Sequence, residues 1–246
     1  MLRSILRFVI GTLFRVRIEG DAAQLGAARV LVVANHDSLL DGVLLGLFLP
    51  VGVTVAVSRG EAQHPLIRRL LRGVPHVVLE ATHPLALKRL MRLIERGRPV
   101  AVFPQGQPTR TGGLTKIYDA AALIAARCNA RIVPVHITGT LYSRFSVVGG
   151  NFPKRSFPRV TLKILPGTTL PALPLLKAKI RRRRLADALL RIMQDMMFAA
   201  RPRCTLFEAL LDAARLHGGG TRILEDTQRE YSYHDLIKAS LALGRP

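Results

Sequence analysis

Two short stretches of the chain carry side chains whose type and spacing could do chemistry. In Asn35-His36-Asp37-Ser38-Leu39-Leu40-Asp41 a histidine precedes an aspartate by five positions. Imidazole titrates near neutrality, and a carboxylate on one ring nitrogen fixes the tautomer and makes the other nitrogen a better base. Oriented by Asp41, His36 could take the proton from a hydroxyl nucleophile. Five residues of one helix advance about 500°, leaving the two side chains about 140° apart, so they meet only if His36 precedes the helix and Asp41 lies in its first turn. Chance also produces such a pair, and Ser38-x-x-Asp41 doubles as a capping spacing.

The second stretch, Gln105-Gly106-Gln107-Pro108-Thr109-Arg110-Thr111-Gly112-Gly113, follows the apolar run PVAVFP and is expected to open a helix at Thr115-Lys116. Backbone N–H groups at such a start, with Arg110 and Lys116 nearby, suit an anion. A turn with two stray cations is the plainer alternative.

Both stretches fall where a buried strand should end. RVLVVAN (29–35), VTVAV (53–57), HVVLE (76–80), PVAVFP (99–104) and RIVPVHITG (131–139) read as buried strands, with VTLKIL (160–165) after them. Helix candidates lie between them at 38–49, 62–72, 84–96 and 115–127, Pro84 suiting a helix start and Gly97 a C-cap. This alternation predicts an α/β fold, a mixed and largely parallel sheet flanked by helices, whose carboxyl edge would gather the two loops.

At 246 residues with 49% hydrophobic and 22% charged residues, the chain has a real core and is neither a peptide hormone nor a disordered polymer. Its 37 Lys+Arg against 16 Asp+Glu give a net charge of +21, which favours a polyanionic partner: nucleic acid, an anionic membrane or an acidic protein. Aromatics are 5%, Trp is absent and no nucleic-acid-binding signature occurs, so a membrane surface is preferred and no nucleic acid is expected. Cys128 and Cys204 form no metal or redox motif, and no metal is expected. Both are expected to be buried free thiols, which point to the reducing cytoplasmic side.

The longest uncharged run, Gly42 to Val57, is interrupted by Pro50 and Gly52 and reads as helix, turn and strand rather than a membrane span. In the N-terminal stretch, Leu2, Ile5, Leu6, Val9 and Leu13 share one side of a helical wheel and Arg3, Ser4, Arg7 and Gly11 the other, an amphipathic helix for a membrane surface or for docking on its own core. After the Pro-rich stretch 166–174, a basic helix places Ile180, Leu185, Leu189, Ile192 and Met196 at helical spacing, and its Arg181–Arg184 run is a solvated face or an anion patch. Beyond it come a helix, a Gly-rich turn, a short strand pair and another helix.

In order and spacing the motifs resemble the glycerolipid acyltransferases of the lysophosphatidic-acid type. His36 to Asp41 matches the family's H-x4-D motif, Phe103-Pro104-Gln105-Gly106 its F-P-E-G motif and Ile132-Val133-Pro134-Val135 its later strand, over roughly residues 10–165. YDAAALIAARCNARIVPV, the N-terminal stretch and the RPRCTLFEALLDAARLHG tail are further similar to a bacterial bifunctional family that joins a 2-acylglycerophosphoethanolamine acyltransferase to an acyl-carrier-protein synthetase. Gln105 replaces the family's glutamate, and Gln107-Pro108 stands where a basic residue usually follows the glycine.

The resemblance implies an acyltransferase domain over 1–200, with 201–246 a linker and the start of an adenylating domain. His36 would be the general base and Asp41 its orienting carboxylate, moving a fatty acyl group from acyl-carrier protein or acyl-CoA, as co-substrate, to the hydroxyl of a lysophospholipid such as 2-acylglycerophosphoethanolamine. Gln105, Gly106, Arg110 and Lys116 would hold the lipid's phosphate. It implies a peripheral protein on the cytoplasmic face of a bacterial inner membrane, with no cofactor. A 1-acylglycerol-3-phosphate acyltransferase and a docking module for membrane or acyl-carrier protein are the competing readings.

Overall fold

The computed structural model describes residues 2–50, 52–79, 84–149, 152–173, 176–201, 203–225 and 229–244. Glu80, Pro174 and Pro202 lie outside the described residues. The chain divides into two compact units, Met1–Gly149 with Lys154–Ala200 and Gly150–Pro153 with Arg201–Pro246.

The first unit is built on a sheet whose strands are β1 (Arg17–Glu19), β2 (Val30–Ala34), β3 (Thr54–Ser58), β4 (His76–Leu79), β5 (Val100–Val102), β6 (Arg131–Thr138) and β7 (Thr161–Ile164). They lie in the order β1-β7-β6-β2-β5-β3-β4. All neighbours are parallel except β6 and β7, which pair antiparallel. The expected mixed, largely parallel sheet is therefore present, with β1 as a short additional edge strand.

Alternation along the strands sends side chains to both faces, and each face needs its own cover. Val30, Val32 and Ala34 of β2 join a core with residues of α1 (Leu2–Phe14), α2 (Asp41–Phe48) and α4 (Pro65–Leu71). Leu31 and Val33 join the opposite core with α5 (Pro84–Glu95), α6 (Ala120–Cys128) and α7 (Ala178–Ala199). Every residue of α2 is buried, which explains why its sequence is apolar all round. On α7 the buried stripe is Leu185, Leu189, Met193 and Met196; of the expected stripe Ile180 is exposed, and Met193 is buried one position beyond Ile192.

Three expectations about helices change. Residues 62–72 are not one helix: α3 (Arg59–Gln63) ends at His64, and Pro65 starts α4, because Pro is accepted at a first turn and not inside one. The helix expected over 115–127 begins at Ala120, leaving 103–119 as a long loop. The N-terminal helix docks along the boundary between its two expected sides: Arg3 Nη2 donates to Gly46 O at 3.2 Å, the exposed Arg7 lies 5.8 Å from the Phe48 ring centre, and Leu6 packs against the core. Gly11 permits this approach, since a Cβ there would lie 3.3 Å from Phe48. Ile10 and Phe14 are buried, while Leu2, Ile5, Phe8, Val9 and Leu13 face outward. Among the described residues no helix is long and apolar enough to cross a membrane.

The second unit contains α8 (Leu206–His217), the antiparallel pair β8 (Arg222–Glu225) and β9 (Glu230–Ser232), and α9 (Tyr233–Leu243). Capping boxes at Thr205/Glu208 and Ser232/Asp235 start its helices. Its apolar side chains are poorly covered, Leu206 being 89% and Leu243 87% exposed.

Gly46 weighs two opposed effects in the first unit. A helix interior gains about 1 kcal/mol from Gly to Ala. A Cβ at Gly46 would collide with Val74 and press on Val55, however, and overpacking a filled core costs roughly 1–3 kcal/mol. Gly46→Ala is expected to lower stability by about 1 kcal/mol, read as a lower denaturant midpoint; an unchanged or higher midpoint would show that propensity outweighs the collision.

Candidate active site

His36 follows β2, and Asp41 is the first residue of α2, the strand-to-helix junction the spacing required. His36 Nδ1 and Asp41 Oδ2 are 3.0 Å apart, and both side chains are buried. The same Oδ2 accepts from the backbone N–H groups of Asp37 (2.6 Å) and Ser38 (2.8 Å), so the carboxylate closes the loop on itself. Ser38 Oγ accepts from Leu40 N at 3.2 Å rather than capping the helix through Asp41. Asn35 ties the loop to β6, accepting from Ile137 N (2.7 Å) and donating to Ile137 O (2.9 Å) and Asp37 Oδ2 (2.9 Å).

The loop after β5 is fastened to the same histidine. Gln105 is buried and engaged at both ends: its Oε1 accepts from His36 N at 3.0 Å and its Nε2 donates to Thr115 Oγ1 at 3.2 Å. Thr109 N donates to His36 O at 2.8 Å. Phe103 stacks on the imidazole with ring centres 4.1 Å apart and planes 18° from parallel. Gly106 needs its positive φ of 74°, and a Cβ there would lie 3.1 Å from the Tyr118 ring.

Arg110 and Lys116 are not brought to this point. Both are exposed and outside the walls of the cavity beside His36, and the Lys116 ammonium lies 5.4 Å from the Tyr118 ring centre. The loop is folded on Thr109, whose hydroxyl donates to Gly113 O and accepts from Thr111 N and Gly112 N. Those amides are aimed at protein oxygens.

A residue outside the two motifs completes the site. Glu61, buried on α3, places Oε1 3.1 Å from His36 Nε2, within ion-pair reach. The alignment falls outside hydrogen-bond geometry, leaving Nε2 buried without a well-directed partner. Its other oxygen accepts from Ser58 N at 2.8 Å in a capping box that starts α3 directly after β3. The Ser58-x-x-Glu61 spacing behind an apolar strand was the available signal; a helix expected only from 62 passed over it.

Burial by itself would push the His36 pKa down, but the hydrogen bond to Asp41 and the Glu61 carboxylate outweigh it and raise it to about 9. For Glu61, burial opposes ionisation, and contact with the imidazole and Ser58 still holds the carboxyl below its usual range. Asp37 is pushed up to about 7, first by burial and then by the charge of Asp41. In this arrangement the ring is an imidazolium at neutral pH, paired on both sides.

Beside the ring lies a cavity of about 790 Å³. Leu87, Leu90, Val102, Ala121 and Ile124 give it apolar walls, and Arg59, Glu61, Gly106 and Tyr118 lie on its lining. Its size falls in the range of small-molecule sites.

A family model described as Acyltransferase matches residues 15–138, half of the chain, and the chain belongs to that family. It is 29% identical over 144 residues to a 1-acyl-sn-glycerol-3-phosphate acyltransferase of Limnanthes douglasii, covering 56% of this chain and 50% of that protein. It is 33% identical over 104 residues to lysophosphatidylcholine acyltransferase 2 of Rattus norvegicus, covering 39% of this chain and 19% of that one. The chain spans about half the length of the plant relatives it matches. In fold it is similar to the crystal structure of the 1-acyl-sn-glycerophosphate (LPA) acyltransferase PlsC from Thermotoga maritima, with a TM-score of 0.53 at 22% identity over 82% of this chain and 83% of that one.

The paired imidazole links stability to pH. A histidine whose pKa is raised from 6.5 to about 9 on folding contributes stability that is complete below 6.5 and lost as pH rises through 9. Wild type is expected to lose on the order of 2–3 kcal/mol between about pH 7 and about pH 9.5, and His36→Gln to lose much less, as measured by urea unfolding. Equal losses in both proteins would contradict the assigned ion pair.

Proposed function

We propose that the chain transfers a fatty acyl group from a thioester, on acyl-carrier protein or CoA, to the free hydroxyl of a lysophospholipid. The observation that carries this is the His36–Asp41 pair standing beside an apolar cavity. With Nδ1 engaged by Asp41, Nε2 is the nitrogen left to take the hydroxyl proton. The oxygen adds to the thioester carbon, the carbon–sulfur bond breaks, and the Nε2 proton passes to the departing thiolate. No acyl-enzyme is needed, consistent with neither Cys128 nor Cys204 standing in a motif and with Cys128 lying outside the cavity lining. Each methylene of an acyl chain taken up by the cavity contributes about 0.8 kcal/mol.

For the acceptor, the resemblance of residues 201–246 to an adenylating domain favours 2-acylglycerophosphoethanolamine, and makes that unit the beginning of an acyl-activating module. The likeness to the plant 1-acyl-sn-glycerol-3-phosphate acyltransferases favours 1-acylglycerol-3-phosphate instead. Acyl transfer to a panel of lysophospholipids, with headgroups in competition, decides between them. His36→Ala is expected to reduce the rate by about 10²–10⁴-fold on the preferred acceptor. If wild type and His36→Ala are equally inactive on every headgroup, acyl transfer is the wrong reading.

The same proposal places the chain peripherally on an anionic membrane surface, at the cytoplasmic face. The outward apolar side of α1, with Phe8 76% exposed, and the net charge of +21 support it. Phe8→Asp is expected to lower the fraction that sediments with vesicles containing anionic lipid, without lowering the denaturant midpoint. Equal sedimentation would place the contact elsewhere.

A further inference from the structure

Taking His36 as the base leaves one group unexplained, because a carboxylate stands where the acceptor hydroxyl should be. We propose that Glu61 is a latch on His36: in the resting protein it occupies the place in front of Nε2, and acyl transfer requires it to swing off that nitrogen into the cavity. This rests on the reading of His36 as general base, through which Glu61 acts as a positioning residue.

Three observations carry it. Nε2 is buried although the ring belongs to the cavity lining, and the atom facing it at 3.1 Å is Glu61 Oε1. The hold on Nε2 is poorly directed, whereas the bond from Ser58 N to Oε2 is a short, aligned 2.8 Å, so the attachment to the helix start is the better made of the two. Glu61 also lines the cavity itself and rides on α3, only five residues long, so there is open space for the carboxyl to turn into.

Opening involves a proton. The Nε2–H bond breaks as an O–H bond forms on Oε1, leaving neutral imidazole and a neutral carboxylic acid. The neutral acid turns toward the apolar cavity more cheaply than a carboxylate would. The freed Nε2 then receives the hydroxyl proton and hands it to the thiolate; Glu61, turned into the cavity, gives its proton to solvent, and the ring takes one back from solvent as the carboxylate closes on it again, which restores the resting ion pair. Among the described residues, the titratable or charged groups facing the ring are Asp41 and Asp37 of its own loop, Glu61 and Arg59 of α3, and Tyr118 across the cavity, with Tyr142 facing Asp37. Phe103 and Gln105, which pack on His36 from the loop after β5, bring no titratable group.

Glu61→Gln isolates the charge, because glutamine also serves as the third residue of a capping box and the start of α3 is kept. The imidazole nitrogens of the full chain are followed by long-range ¹H–¹⁵N NMR from about pH 5 to about pH 10. The pH dependence of kcat/KM with a lysophospholipid is measured alongside. In wild type, His36 should stay an imidazolium beyond about pH 8. In Glu61→Gln its midpoint should fall by roughly one unit or more, with the acid limb of kcat/KM moving down equally, a gain near neutrality of about tenfold per unit. The proposal is overturned if the midpoint is the same in both proteins, or if folded Glu61→Gln keeps the wild-type acid limb or loses activity at every pH. Should Glu61→Gln not fold, the wild-type titration decides: an ordinary midpoint near 6.5 overturns the latch, and one near 9 supports it. A wild type inactive on every lysophospholipid, in which Glu61→Gln still lowers the His36 midpoint, supports the latch and overturns the acyl-transfer reading alone.

Discussion

An imidazole with a carboxylate on each ring nitrogen, all three side chains buried, is the interaction around which the first unit is organised. Taking such charges out of water costs several kcal/mol per ion, and only close pairing with additional hydrogen bonds offsets it. The fold supplies those bonds from its backbone. Asp41 receives the N–H groups of Asp37 and Ser38, and Glu61 that of Ser58. A third acid is not accommodated as well: Asp37 has the amide of Asn35, but burial and the neighbouring Asp41 keep its carboxyl reluctant to ionise.

The sheet order makes this assembly possible. His36 follows β2, Phe103 and Gln105 follow β5, Glu61 follows β3, and Ile137 lies near the end of β6, so four laterally consecutive strands, β6-β2-β5-β3, deliver their carboxyl ends to one place. The loop after β2 is tied through main-chain groups on both flanks: His36 N donates to the Gln105 side chain and His36 O accepts from Thr109 N after β5, and the Asn35 side chain bonds Ile137 N and O on β6. The segment after β3, which carries Glu61, reaches the histidine through side chains alone. Rigid positioning of the ring and a movable carboxylate in front of it are thus compatible within one sheet edge.

The same topology explains what could be read from the chain. Runs of Val, Ile and Leu bounded by turn residues are local signals, and they located the strands from β2 to β7; the three-residue β1 was too short to register. The His36–Asp41 contact was legible because both residues share one junction, where spacing constrains geometry. Glu61 was not, because its contact depends on β3 lying beyond β5 in the sheet, a lateral order that the sequence order does not encode. Arg110 and Lys116 stand apart from the cavity for a related reason. Placing them beside an anion assumed that the loop ran straight into a helix, whereas Thr109 gathers it into a turn and the helix waits until Ala120. On α1 the helical period was correct, but the chain gave no hint that Arg3 would find the Gly46 carbonyl and so roll the docked face away from Leu2, Ile5, Val9 and Leu13.

Gln105, the departure from the family's F-P-E-G pattern, takes on a physical meaning in this setting. What the position must provide here is an acceptor for His36 N–H and a link to Thr115, and a carboxamide does both. A glutamate would offer the same acceptor but add a further negative charge to a cluster that already holds Asp37, Asp41 and Glu61 around one imidazolium. The excess of negative charge around the imidazolium is smaller while one of those acids stays protonated, which is the state toward which Asp37 is driven. Glutamine therefore preserves the backbone tie that positions the ring without raising the electrostatic cost of the site. The requirement at this position is positional, and it explains how the motif can lose its charge while its hydrogen-bonded geometry is retained.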